Sequence, residues 1–497
     1  MRHDRSSVVE PNGTAFMTRR AVLRSVAAAT LTMLARPARL VSAASPIGPV
    51  MDRLSTYMSQ ARTKPLPAEV TVKATYHVLD TIAAMVSGTG LLPGRIALAF
   101  ARTHNEKVAT IAGSTLLCGP IEAAFVNAML AHADETDDSH SPSQSHPGCA
   151  VVPAALAVAE QFGVSGAHFL RAVALGYDVG TRMTMTVGVP GFETATHMST
   201  HALAGLFGAA AASAAAASLN VQQMRWVLDY AAQQASGTKA WQRDTDHIEK
   251  AFVFAGVGAR GGVTATQLVH LGATGVDDVL SGPDNFLSVT APTADPTRLV
   301  DALGERFEVM RTNIKKWSVG SPIQAPLDAL QLLFRQQPFD ADHVTHVAVR
   351  CATSEAALVN NREMPDICLQ HIIAVMLMDK TLSFQAAHDK ARMGDPIILR
   401  HRAKVELIPD EELERRRPQR QAIVEVTLAS GARLTQRVDA VRGTAENPMS
   451  RDEVVAKCRD LLSPTLGSDR CSRLIEQVLG IERVKDVRAL RPLLQRG

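Results

Sequence analysis

The sequence predicts a mainly α protein, in which a large all-helical domain carries an inserted, smaller α+β lid domain. Three observations predict it. Residues 46–305 are rich in Ala and Gly and repeat their apolar positions at three-and-four spacing, as helices do. Residues 310–445 contain runs that alternate with period two, the pattern of half-buried strands. Helical periodicity then returns over residues 450–497. The 497 residues, 46% hydrophobic and 20% charged, are enough for two or three domains with a large core.

The elements follow in chain order. Residues 1–45 read as an address rather than as structure. Thr18 to Arg24 (T-R-R-A-V-L-R) has the form of a twin-arginine signal, Val26 to Ala35 supplies an apolar stretch, and Val41-Ser42-Ala43 offers small residues for cleavage. This predicts export to a bacterial periplasm, with the cytoplasm as the alternative if the signal does not function. Pro67 opens a helix over Ala68–Ser87, and Pro120 opens another. Pro153 is expected to start Ala154–Glu160, which Gly163 stops. Ser165 caps Gly166–Arg182, and Asn220 caps Val221–Ala235 after a helix over Ala202–Leu219. Gly256–Gly272 closes the helical series. In the inserted part, strands are expected at Val344–Arg350, Ala403–Ile408 and Ala422–Leu428, with a hairpin around Ser430-Gly431. Helices lie between them at Gln324–Gln336, Cys368–Leu377 and Phe384–Ala391, and afterwards at Arg451–Leu462 and Ser472–Leu479.

Composition excludes several classes. A net charge of +3 and 4% aromatic residues give no case for nucleic-acid binding. The cysteines, Cys118, Cys149, Cys351, Cys368, Cys458 and Cys471, form no C-x-x-C pair, so neither a zinc ribbon nor an iron–sulfur site is expected. Past the signal, no membrane span is expected; the uncharged run Ala202–Leu219 is too weakly hydrophobic and reads as a core helix.

The chemistry concentrates in His132-Ala-Asp134-Glu135-Thr-Asp137-Asp138-Ser139-His140, continuing to His146-Pro147-Gly148. So many carboxylates between two apolar helices need solvation, a metal or a catalytic role. Three readings stand side by side: a solvated loop; a divalent metal site using His132, Asp134, Asp137 and His140; and an acid–base site in which crowded carboxylates and histidines exchange protons.

The same stretch resembles the MmgE/PrpD family of 2-methylcitrate dehydratases and cis-aconitate decarboxylases. The likeness runs from His132 to Gly148, through Val151 to Glu160 and Gly176 to Arg182, and on to Gly256–Ala265, Leu271–Val276, Gly282–Phe286, Asn313–Trp317 and Asp395-Pro396. The resemblance implies a helical domain with an α+β lid, a cleft between them, a homodimer, and no metal or organic cofactor. It implies a small polycarboxylate substrate. It places catalytic roles on His146, Glu135 (where Asp is usual), Asp138, Ser139 (where Thr is usual), Lys250 and His201. Charge that develops next to a carboxylate needs cations and donors, so Arg182, Lys239 and Lys316 in the matching segments, with Asp137 and His140, are the expected substrate contacts. Lys250 is displaced by one residue from the family pattern, with His247 and Asp246 one turn away, and His201 sits nearer than His197 to the Gly205–Ala210 run. The implied activity is a dehydratase-type lyase that abstracts a C–H proton next to a carboxylate. Epimerisation or decarboxylation at the same site is the alternative. A periplasmic protein that binds a carboxylate without transforming it is the rival from outside enzymology.

Overall fold

A computed structural model of the chain describes residues 47–496. The expected signal lies outside the described residues. The chain is 60% helix and 8% strand, a mainly α fold with a small sheet in its C-terminal part.

Seven helices frame the first part: α1 (Ala68–Gly88), α2 (Pro120–Ala131), α3 (Gly148–Phe162), α4 (Gly166–Val187), α5 (Thr200–Ala216), α6 (Val221–Gln233) and α7 (Val257–His270). Their starts follow local chemistry. Pro120 sits at the first turn of α2, where no donor is lost. The Ser165 hydroxyl accepts from the backbone N–H of His168 to cap α4. Asn220 and Gln223 form a reciprocal capping box at α6.

Small residues set how closely these helices pack. α4 and α5 approach so nearly that a Cβ on Gly180 would lie 2.3 Å from the carbonyl oxygen of Ala204. The Ala-rich composition therefore brings backbones together, rather than filling space with large side chains. α5 is buried along nearly its whole length, as expected of a core helix.

Three expectations shift. α3 starts at Gly148, not after Pro153. A proline inside a helix removes one N–H donor, but the helix is anchored further back, where the Gly148 N–H donates to Asp138 Oδ1 at 3.0 Å. The last helix of the series is preceded by a π-helical turn, Phe252–Gly256, and its regular part ends at His270. The helix expected over Phe384–Ala391 is divided into Phe384–His388 and a 3₁₀ turn, Lys390–Gly394. Asp389 accepts from the N–H groups of Ala391 and Arg392 and caps the second piece.

After α8 (Ser321–Gln336) comes a four-stranded sheet made of β1 (Val344–Ala352), β2 (Val405–Asp410), β3 (Ala422–Leu428) and β4 (Arg433–Val438). Its order is β2-β1-β3-β4, with β1 parallel to β2 and antiparallel to β3. β3 and β4 form the expected hairpin, with Gly431 at φ 85° in the turn. Val347 and Val349 of β1 join Val424 and Val426 of β3 in a hydrophobic cluster drawn from residues 317–441. A larger cluster gathers the helices from Met51 onward and includes α9 (Arg451–Leu466) and α10 (Ser468–Leu479). Among the described residues no single helix is long and apolar enough to cross a membrane. One bent pair, α1 with Leu92–Ala101, reaches the length together, and α1 is buried from Val78 onward.

Candidate active site

The acidic–histidine segment leaves α2 at His132 and enters α3 at Gly148, and all four of its carboxylates are buried. Glu135 is 4% exposed, Asp137 0% and Asp138 1%. The solvated-loop reading is therefore wrong. Buried carboxylates need compensating charge or donors, so the site is defined by which partner each one has.

Glu135 is surrounded by two lysines and a histidine. Lys250 Nζ contacts its Oε1, His247 Nε2 lies 3.2 Å from the same oxygen, and Lys315 Nζ lies 3.5 Å from Oε2. Burial alone would raise its pKa. The charges of Lys250 and Lys315 and the His247 hydrogen bond outweigh that and hold Glu135 well below the usual carboxylate range. Lys250 also lies over the rings of Phe254 and Trp241, at 5.2 and 5.6 Å from their centroids.

Asp137 is clamped between two imidazoles. His132 Nδ1 is 2.9 Å from Oδ2 and His146 Nδ1 is 3.3 Å from Oδ1, with Lys315 Nζ at 3.8 Å. Burial opposes its charge, yet these partners hold it ionised, well below its ordinary pKa. His132 is wholly buried, and burial lowers its pKa to about 4, so it is a neutral donor through Nδ1. His146 differs. Its Nδ1 edge meets Asp137, while its side chain is 11% exposed and lines a cavity. The arrangement is a carboxylate orienting an imidazole whose other edge is free to exchange a proton.

The backbone positions these groups through long-range contacts. Ser139 and Asn313 exchange two backbone hydrogen bonds, N–H to O, of 3.0 and 2.8 Å, which bring the segment Asn313–Trp317 against the loop. Lys315 Nζ then donates to the Glu135 carbonyl at 2.7 Å. From α9, Lys457 Nζ donates to the Thr136 carbonyl at 3.0 Å and pairs with buried Asp80 at 2.6 Å.

The cavity, of about 280 Å³, is lined by Glu135, Ser139, His146, His201 and Lys250 among the residues expected from the sequence. His201 stacks on Phe254 at 3.6 Å between centroids. Burial, with the charges of His146 and Lys250, keeps its pKa well below the ordinary value.

Six expected residues lie elsewhere. Asp137, expected to contact substrate, is fully buried and does not line the cavity; it holds His132 and His146 instead. Asp138 accepts from Tyr177 Oη at 2.5 Å and contacts His77 Nδ1 at 2.8 Å in the interior, so it fastens α1, α3 and α4 to the loop instead of facing the cavity. His140 is bound to Ser143 Oγ at 2.8 Å and Glu308 at 3.2 Å, away from the cavity. Arg182 is fully buried, donates to the carbonyls of Asp301 and Arg306 and pairs with Glu308 at 3.5 Å, so it does not reach the cavity. Lys239 pairs with Glu193 at 3.2 Å at the rim. Lys316 points to Gln331 and the Trp317 ring, while Lys315 takes the inward position against Glu135.

The four donors considered for a metal do not converge. His132 and Asp137 bond each other, Asp134 holds Thr136 and His388, and His140 holds Ser143 and Glu308. Cys149 is close enough to His132 and Asp137 to make a three-donor group. Its thiol, however, donates to the His146 carbonyl at 3.1 Å, and burial beside Asp137 pushes its pKa well up, away from the thiolate a metal requires.

The opposite wall was not expected from the sequence. Arg362, Arg417 and Arg420 line the cavity from the sheet-bearing part, with an apolar surface of Leu358, Val359, Met364 and Ile367. The Arg-Arg-Arg-Pro-Gln-Arg run at 415–420 was the available signal.

Comparison with known proteins agrees with this layout. The MmgE/PrpD N-terminal domain matches residues 52–299 and the MmgE/PrpD C-terminal domain residues 317–481. The chain is 24% identical over 476 residues to a cis-aconitate decarboxylase of Aspergillus terreus, covering 90% of this chain and 96% of the relative. It is 24% identical to the cis-aconitate decarboxylase-like protein oryM of Aspergillus oryzae, covering 91% and 99%. It is 25% identical to the human cis-aconitate decarboxylase, covering 84% and 89%. Two domains matched in order, on either side of the cavity that holds His146, place this chain in the MmgE/PrpD family.

Proposed function

We propose that this protein is a lyase that acts on a small di- or tricarboxylic acid, with His146 as the proton-transfer residue. The observation that carries the reading is the Asp137–His146 pair at the floor of a cavity whose far wall presents Arg362, Arg417 and Arg420. Guanidinium groups hold carboxylates in fixed geometry. Lys250 and Lys315 add positive charge beside Glu135, where negative charge develops as a bond to carbon breaks.

Decarboxylation is the reaction we place first. The relatives at 24–25% identity are cis-aconitate decarboxylases. The apolar surface of Leu358, Val359, Met364 and Ile367 also favours a carboxylate that loses its charge as carbon dioxide. The C–C bond to that carboxylate breaks, its electron pair passes to the adjoining carbon framework, and His146 delivers the proton that completes the new C–H bond. Ser139 and His201 are placed to hydrogen-bond the remaining carboxylates. Dehydration uses the same parts in the opposite sense: His146 removes a proton next to a carboxylate and a β-hydroxyl leaves.

Incubation with cis-aconitate, citrate, 2-methylcitrate and substituted succinates, followed by mass spectrometry and carbon dioxide detection, tests the reading. Release of carbon dioxide from one of them supports decarboxylation, and loss of 18 Da supports dehydration. Binding of one compound without turnover would instead support a carboxylate-binding protein. Periplasmic location and a homodimer belong to the same proposal; cell fractionation and light scattering test them.

A further inference from the structure

The reaction cavity opens into a second, larger one of about 820 Å³. The two share Ser139, Ser141, Ser321, Arg417, Pro418 and Arg420 in their linings, so they form an inner and an outer chamber joined at the arginine run. The outer chamber is strongly basic for a chain whose net charge is only +3. Arg311, Arg415, Arg416, Arg417, Arg420 and Arg442 face it, with Asp439 and Glu446 as the opposing acids.

Most of these cations are engaged from behind. Arg311 pairs with Glu308, Arg417 with Glu414, Arg420 with Glu355 and Arg442 with Glu453. Arg415 and Arg416 are exposed, and among the described residues no carboxylate pairs with either. Two unneutralised guanidinium groups at the mouth of a concave, cation-lined chamber produce a long-range attractive potential for anions. Among the described residues neither guanidinium group makes a hydrogen bond or an ion pair within the fold.

We infer that the outer chamber is a capture site for multiply charged carboxylates, in which Arg415 and Arg416 steer the anion inward to Arg417 and Arg420. This inference rests on the polycarboxylate reading above. Steering acts on encounter, so it raises the association rate and leaves the dissociation rate and the chemical step unchanged. Ionic strength screens exposed charges, so the effect weakens as salt rises.

The test is stopped-flow binding of propane-1,2,3-tricarboxylate to the full chain, followed by the fluorescence of Trp241, which lines the inner cavity. Measurements are made at about 20 mM and about 200 mM NaCl. The wild-type association rate should fall about tenfold between the two salts. In the double variant R415A/R416A it should be about fivefold slower at low salt, with a flatter salt dependence and an unchanged dissociation rate. An unchanged association rate in the variant, or a loss carried by faster dissociation, overturns capture while leaving the polycarboxylate reading standing. Failure of the wild type to bind the tricarboxylate overturns both. Circular dichroism of the variant, whose substitutions lie on an exposed turn, checks that the fold is kept.

Discussion

Within one short run of sequence, residues with the same side chains do opposite work. Glu135 and His146 line the cavity and, with the buried Asp137 that contacts His146, are held by Lys250, Lys315, His247 and His132. Asp134, Asp138 and His140 turn into the protein and are tied to His388, Tyr177, His77, Ser143 and Glu308. The first set keeps charge at the edge of a cavity. The second uses charge to fix the loop against three helices. A carboxylate's role here follows from its partners, and those partners come from distant parts of the chain.

The contrast can be broken or sharpened by substitution. The largest effect is expected at His146. His146→Ala should lower turnover by about 10³- to 10⁴-fold, with a melting temperature close to wild type, in steady-state assays and thermal melts. Lys315→Met comes next. It removes the cation shared by Glu135 and Asp137, and kcat should fall about 100-fold. Asp138→Asn should reverse the pattern. It removes an acceptor oxygen from the cluster of His77, Tyr177 and the Gly148 N–H and should cost about 3 kcal/mol in denaturant unfolding, while folded enzyme keeps kcat within about fivefold.

A smaller, pH-dependent effect is expected at His388. Burial would lower its pKa, but Asp134 at 2.8 Å, with Asp366 and the Phe384 carbonyl, raises it to about 9 from 6.5. A raised folded-state pKa means the charged His388 stabilises the fold fully below pH 6.5, and that contribution is lost as pH rises through about 9. The melting-temperature gap between wild type and His388→Asn should therefore close between pH 6.5 and about 9. The smallest effect is expected at Lys316. Lys316→Met should leave kcat unchanged and shift stability by about 0.5 kcal/mol or less, although Lys316 adjoins Lys315 in sequence. Equal losses at Lys315 and Lys316 would remove the distinction between inward and outward lysines.

Much of this was legible in the sequence. Pro120, Ser165 and Asn220 marked helix starts through local chemistry, and alternation located Ala422–Leu428 to the residue. Glu135, His146, His201 and Lys250 were identified as site residues and do line the cavity. What escaped depends on long-range contacts. Nothing local separates Lys315 from Lys316; the Ser139–Asn313 bridge decides which faces inward. Arg182 looked like a free cation, but carbonyls of Asp301 and Arg306, far along the chain, occupy it. Arg417 and Arg420 sit in a turn that reaches the cavity only through the packing of the sheet-bearing part.

The account's central claim is proton transfer to or from substrate carbon at His146. Proton NMR in D₂O with cis-aconitate, citrate and 2-methylcitrate tests it most directly. The account predicts one deuterium incorporated at carbon in the product or recovered substrate of at least one compound, and none with His146→Ala. Turnover with no deuterium at carbon, or undiminished incorporation in the variant, would contradict it.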